Sequence, residues 1–247
     1  MIARVRLLAQ LETVLFFREP VAVFFSFVFS LLLLAFVGSI YGSESFDDVR
    51  FIDTYFPIMV GATAANIAVL GLAIHLGEDR GRGVLRRYRL SPMGDLEFFA
   101  AQMVTAAVVL GLSMSGLALF TVAFYGVSDA VDWPLFTAGS LLTMYVMFSI
   151  GVFIGGLRLP VRSIQVLGTT AYFFMFFSSG AAIPRSEFPE WLTVVSDLNP
   201  LTHLCNLLIA SYTTIDDVSW IALAVILAAT VALNLVTRKT FDWEGRQ

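Results

Sequence analysis

Residues 20–42 read PVAVFFSFVFSLLLLAFVGSIYG, 23 residues without a charged side chain. A helix rises about 1.5 Å per residue, so about 20 apolar residues cross the hydrocarbon core of a bilayer. This run therefore predicts a transmembrane helix. The same test, carried outward, selects Tyr55–Gly77, interrupted only by His75, then Phe98–Ser128, Trp133–Leu157, Ser163–Pro184 and Val218–Thr237. The predicted fold class is an all-α integral membrane protein with six transmembrane helices, and six crossings leave both termini on one side. Arg4, Arg6 and Arg18 precede the first run as they would a signal peptide. Its length and the lack of an A-x-A site after it predict a retained span instead.

Composition agrees. Of 247 residues, 58% are hydrophobic and 14% charged, and the mean hydropathy is +0.83. Soluble domains carry about 25% charged residues, and a soluble globule of this length cannot hide so much apolar surface. A net charge of −4 provides no basic field for nucleic acid. A single cysteine excludes an intrachain disulfide. The 15 Lys and Arg fix the orientation: with the N-terminus inside, 13 fall in inner segments and only Arg50 and Arg185 in outer ones.

Three segments do not span. In 1–19, Ile2, Val5, Leu8, Leu11 and Leu15 recur at helical spacing among Arg4, Arg6 and Glu12, which predicts an amphipathic helix on the inner leaflet. The segment 184–217 holds two apolar stretches too short to cross, separated by Asn199-Pro200, and predicts a re-entrant helical pair in the outer leaflet. The inner loop 78–97 is charged and glycine-rich. Within it Val84, Leu85, Tyr88 and Leu90 alternate with Arg86, Arg87 and Arg89, and Ser91-Pro92 ends the helix. Such a helix can dock into a cytosolic protein, with Leu85 and Tyr88 as apolar anchors and the arginines as a rim. It can equally lie on anionic lipid. One domain covering 1–247 accounts for the chain.

No Asp, Glu, Lys or Arg lies within the six runs, so a proton or ion relay has no residues to use. His75 and His203 read as polar residues near the membrane edges. The motifs H-E-x-x-H, G-x-S-x-G and G-x-x-x-x-G-K-[ST] are all absent. The expectation is a non-catalytic chain that binds no metal or cofactor and draws its energy from elsewhere. Neutral polar residues such as Asn66 and Gln102 either hydrogen-bond between helices or line a path. Phe173, Phe174 and Phe177 either face lipid or form the apolar wall of a path with Ser178 and Ser179 as its polar end. Gly151 and Gly155, and likewise Gly111 and Ser115, have the spacing of close helix contacts.

An acid, a glycine and a basic–apolar stretch ending in [ST]-P follow the second of the six spans. Glu78, Gly83, Leu85, Arg86 or Arg87, Ser91 and Pro92 fill these places, and they resemble the coupling loop of type-2 ABC exporter permeases. Phe17-Arg18-Glu19-Pro20 before the first span resembles that family, as does Leu198-Asn199-Pro200-Leu201-Thr202, which is similar to its N-P-[LVI]-[ST] motif. The drug- and antibiotic-exporting branch, with the daunorubicin permeases, is the nearest in pattern. The resemblance implies a permease subunit in the plasma membrane of a bacterium or archaeon, with both termini cytoplasmic, exporting an amphiphilic or hydrophobic substrate. A polysaccharide- or glycolipid-exporting permease is the alternative, and a secondary transporter or channel a more distant one. The resemblance also implies two copies of a P-loop ATPase that carry the ATP and magnesium, and a second permease copy or paralogue. Residues 84–92 and Glu78 would meet the ATPase.

Overall fold

The computed structural model describes residues 2–42, 45–46, 49–90, 94–126, 128, 130–183, 185–213, 215 and 218–241. In chain order the helices are α1 (Ile2–Phe17), α2 (Pro20–Tyr41), α3 (Phe51–Gly81), α4 (Val84–Leu90), α5 (Asp95–Tyr125), α6 (Trp133–Gly155), α7 (Val161–Ser178), α8 (Glu190–Leu198), α9 (Pro200–Tyr212) and α10 (Trp220–Thr240). A minimal antiparallel hairpin of β1 (Ser45–Phe46) and β2 (Val49–Arg50) joins α2 to α3. Local chemistry marks the starts. Asp132, Asn199 and Ser219 accept backbone N–H groups at the heads of α6, α9 and α10, and Pro20, Pro134 and Pro200 sit in first turns, where no N–H is missed.

Among the described residues, α2, α3, α5, α6 and α10 are long and apolar enough to cross a membrane. The fifth expected span is the 18-residue helix α7, which carries Arg162 and Gln165 in its first turns and is less apolar than those five. Helix α3 runs on to Gly81, so Glu78 sits on the helix and not in a loop. Gly83, at φ +72, then turns the chain into α4, a conformation that a Cβ disfavours. Ser91, Pro92 and Pro184 lie outside the described residues.

Helix α3 is the hub. Its apolar window is 78% buried and that of α6 67%, against 17–28% for α2, α5 and α10. Helix α6 reaches α3 through glycine. A Cβ on Gly151 would stand 2.1 Å from the Ala68 carbonyl oxygen, and one on Gly155 2.9 Å from Leu76 Cβ. Gly111 does not share this role, because a Cβ there meets nothing within 4 Å. Helix α9 packs on α3 and α6: Cys205 is buried against Gly61, and Leu208 packs by Gly139. Asn199 fixes the joint between α8 and α9. Its Nδ2 donates to the Met175 carbonyl at 2.8 Å and to Ser178 Oγ at 3.0 Å, while its Oδ1 caps Leu201 N.

Two placements differ from the sequence expectation. Helix α1 packs along α5, with Thr105 donating to the Ala9 carbonyl, and it buries Leu8, Ala9 and Glu12. Ile2, Leu7 and Leu11 point outward, so the helix turns a carboxylate inward and much of its apolar surface away from the bundle. Arg80, expected in a solvated loop, is 5% exposed and donates to the Leu157 and Leu159 carbonyls, which ties the turn after α6 to the end of α3.

Candidate functional site

Helices α1, α2, α3, α5 and α7 enclose a cavity of about 420 Å³. Its walls are apolar, with Phe16, Phe25, Ile67, Leu70 and Phe173 among them, and Glu12, Glu19, His75 and Glu78 gather at one end. Both α2 and α3 widen into a π-helical turn beside it, at Phe24–Phe29 and at Asn66–Leu72. Such turns cost good hydrogen bonds and occur mostly at functional positions. Here they face each other, with Ser26 Oγ donating to Asn66 Oδ1 at 3.3 Å. Gln102 Nε2 is buried on the lining without a hydrogen-bond partner, whereas the Asn66 amide, also buried there, faces the Tyr172 hydroxyl. A buried donor left without a partner costs about 1–3 kcal/mol, so the Gln102 amide is poised for a guest with an acceptor atom.

The acidic end is a network. His75 Nε2 lies 3.2 Å from Glu12 Oε2 and 3.4 Å from Asp79 Oδ2. Glu78 accepts from Arg82 at 3.1 Å and from Gln165 at 3.3 Å, which links α3 to α7. Tyr88 on α4 packs on Phe98 at 5.2 Å between ring centres. Burial, reinforced by the carboxylates of Glu12 and Asp79, pushes its hydroxyl up to about 12, so it stays a donor toward Glu12. These groups can bind and orient a ligand. No nucleophile, base and orienting acid converge for bond cleavage among the described residues.

A family model of the ABC-2 type transporter matches residues 3–213. The chain belongs to that family. It is also 25% identical over 166 residues to the inner membrane transport permease YhhJ of Escherichia coli (strain K12), and equally to that of Shigella flexneri. The match takes in 64% of this chain and 44% of YhhJ, so the chain spans less than half the length of these relatives. This chain is thus a multi-pass membrane protein of the ABC-2 type transporter family.

Within the ABC-2 fold, the residues expected to meet an ATPase divide. Arg86 and Arg87 are exposed on α4, whereas Leu85 is 0% exposed and Val84 and Tyr88 are half-buried. Leu85 therefore faces the permease's own core, so it is not presented as an anchor. For Arg89 only its place in the helix is described, and Ser91 and Pro92 lie outside the described residues. The expected lining residues divide as well. Asn66 and Phe173 meet at the cavity, while Phe174 and Phe177 point outward. Ser178 is consumed by its hydrogen bonds to the Phe174 carbonyl and to Asn199. Ser179 lines a second cavity of about 360 Å³ with Tyr55, Arg185 and Glu187. Asn199 and Pro200 head α9, well buried and half-buried respectively. Sequence reasoning did not assign Glu12 and Glu19 to the site, because they lie in a segment read as interfacial. A turn-by-turn alignment of Glu12 with the charged end of α3 could not be inferred from spacing.

Proposed function

We infer that this chain is the membrane half of an ATP-driven exporter for amphiphilic molecules. The observation that supports it best is the apolar cavity with the unpaired Gln102 amide on its wall and carboxylates at one end, which suits a guest with a hydrophobic body and a polar head. An extended sugar chain would call for a polar lining, so the cavity favours an amphiphile over a polysaccharide. In this reading the whole chain is one membrane domain crossing six times, with α7 as the fifth crossing and α8–α9 as the re-entrant pair. Both termini face the cytoplasm of a bacterial or archaeal cell, and two chains pair over two ATPase subunits that hold ATP and magnesium. The middle of each apolar helix lacks charge, so ATP drives transport and protons do not.

The test is uptake into everted membrane vesicles carrying the permease with its ATPase. A hydrophobic fluorescent probe with a polar head should accumulate on addition of ATP, and accumulation should persist when a protonophore collapses the gradient. Uptake that follows the proton gradient at constant ATP would instead assign the chain to secondary transport.

Orientation has its own check. Cys205 is buried and closed to reagents, so single cysteines belong elsewhere. In a Cys205→Ala background, Val194→Cys on the outer helix α8 should react with an impermeant thiol reagent in intact cells. Arg87→Cys should react only after the membrane is opened. The reverse pattern would overturn this orientation.

A further inference from the structure

The Glu12, His75 and Asp79 cluster is more than an ion pair needs. Asp79 follows His75 by one helical turn on α3, while Glu12 arrives from α1, 63 residues away in sequence. Glu12 is 5% and Asp79 8% exposed. Both carboxylates approach the same imidazole nitrogen, at 3.2 and 3.4 Å, and the three donor atoms lie within 4.8 Å of one another. A single Nε2–H points well at one acceptor, not at two. Around a tetrahedral metal with bonds of about 2.0–2.1 Å, however, neighbouring donor atoms stand roughly 3.3–3.4 Å apart. The spacings from Nε2 to the two oxygens here, 3.2 and 3.4 Å, bracket that value.

Charge points the same way. Two further carboxylates, Glu19 and Glu78, stand near the cluster and add to its negative charge. The cation facing the cluster is Arg82, which is already paired with Glu78. A divalent ion would neutralise both carboxylates, with the imidazole neutral. Tyr88 donates to Glu12 from α4, the kind of outer hydrogen bond that orients a metal-binding carboxylate.

We propose that Glu12, His75 and Asp79 form a binding site for a first-row divalent metal ion, with zinc the best match, which clips α1 to α3 below the cavity. Nitrogen and oxygen donors without thiolate suit zinc or its first-row neighbours. Three protein donors leave a fourth position for water. Glu12 and His75 also line the cavity, but the metal site is read from the cluster's own geometry and ties together elements of this chain whatever the chain carries.

The experiment uses the full-length chain in lipid nanodiscs, stripped with a chelator and titrated with zinc chloride against a fluorescent zinc indicator. One zinc per chain should bind, and His75→Gln or Asp79→Asn should weaken binding at least about hundredfold. Tyr88→Phe removes only the outer hydroxyl and should weaken it about tenfold, within the range of such outer contacts. Should the ligand variants fail to insert, cobalt loading of the unaltered chain decides. The visible absorption of a four-coordinate cobalt centre, lost on adding zinc, supports the site. Zinc binding to the unaltered chain no tighter than to His75→Gln overturns the proposal, as does cobalt loading without that absorption, and either leaves a plain imidazolium–carboxylate clip.

Discussion

Gly151→Ala should remove about 3 kcal/mol or more of stability, the upper end of what overpacking costs. The added methyl would stand 2.1 Å from the Ala68 carbonyl oxygen and 2.8 Å from its carbon. These are backbone atoms of α3, so no side chain can rotate away. Relief requires α6 and α3 to separate, and with them the contact of Gly155 on Leu76. The control is Gly111→Ala on α5, where the methyl meets nothing within 4 Å. There the lost backbone freedom of glycine favours the variant by up to about 1 kcal/mol. Thermal unfolding of both variants in nanodiscs reads the difference. Equal midpoints would show that α6 does not cross α3 at Gly151. The two glycines share the same small-x-x-x-small pattern in the sequence, yet only one of them touches another helix.

Leu85→Ala should destabilise the permease itself by about 2–5 kcal/mol, the cost of emptying a buried leucine site. Leu85 is fully enclosed, and the Tyr88 ring near it packs at a tilt against Phe98. The sequence makes these two residues the anchors for an ATPase, but the structure spends them on holding α4 to its own bundle. The exposed groups are Arg86 and Arg87. Reversing both, Arg86→Glu with Arg87→Glu, should therefore weaken ATPase association by tenfold or more and make what remains less sensitive to salt. It should leave unfolding within about 0.5 kcal/mol of the unaltered chain, as surface changes do. Co-purification yield and ATP hydrolysis by the complex read the first effect, and thermal midpoints the second. If the reversal spares the ATPase but lowers affinity for anionic vesicles, α4 is a lipid-binding helix.

The apolar runs could be read from the sequence because a bilayer imposes a length and forbids charge, and both are properties of the string. The run 20–42 becomes α2 within a residue or two. The arginine-rich helix between Gly83 and Ser91 was legible for a similar reason: a left-handed turn at Gly83 and a proline after it bound the segment on both sides. Asn199-Pro200 marked the break between α8 and α9. What the string did not carry was the facing of each helix. In water, a polar stripe against an apolar one reveals which side is buried. In lipid both sides are apolar, and α3 and α10 have similar hydropathy, 1.9 and 2.2, yet one is 78% and the other 17% buried. The candidate site was hidden for the same reason. Its π-helical turns carry no distinguishing residues, and its acidic end joins Glu12 to His75 and Asp79 across 63 residues and two helices. Only the packing of α1 along α5 brings that carboxylate inward, because burying Leu8 and Ala9 against the bundle turns Glu12, one helical turn further on, toward α3.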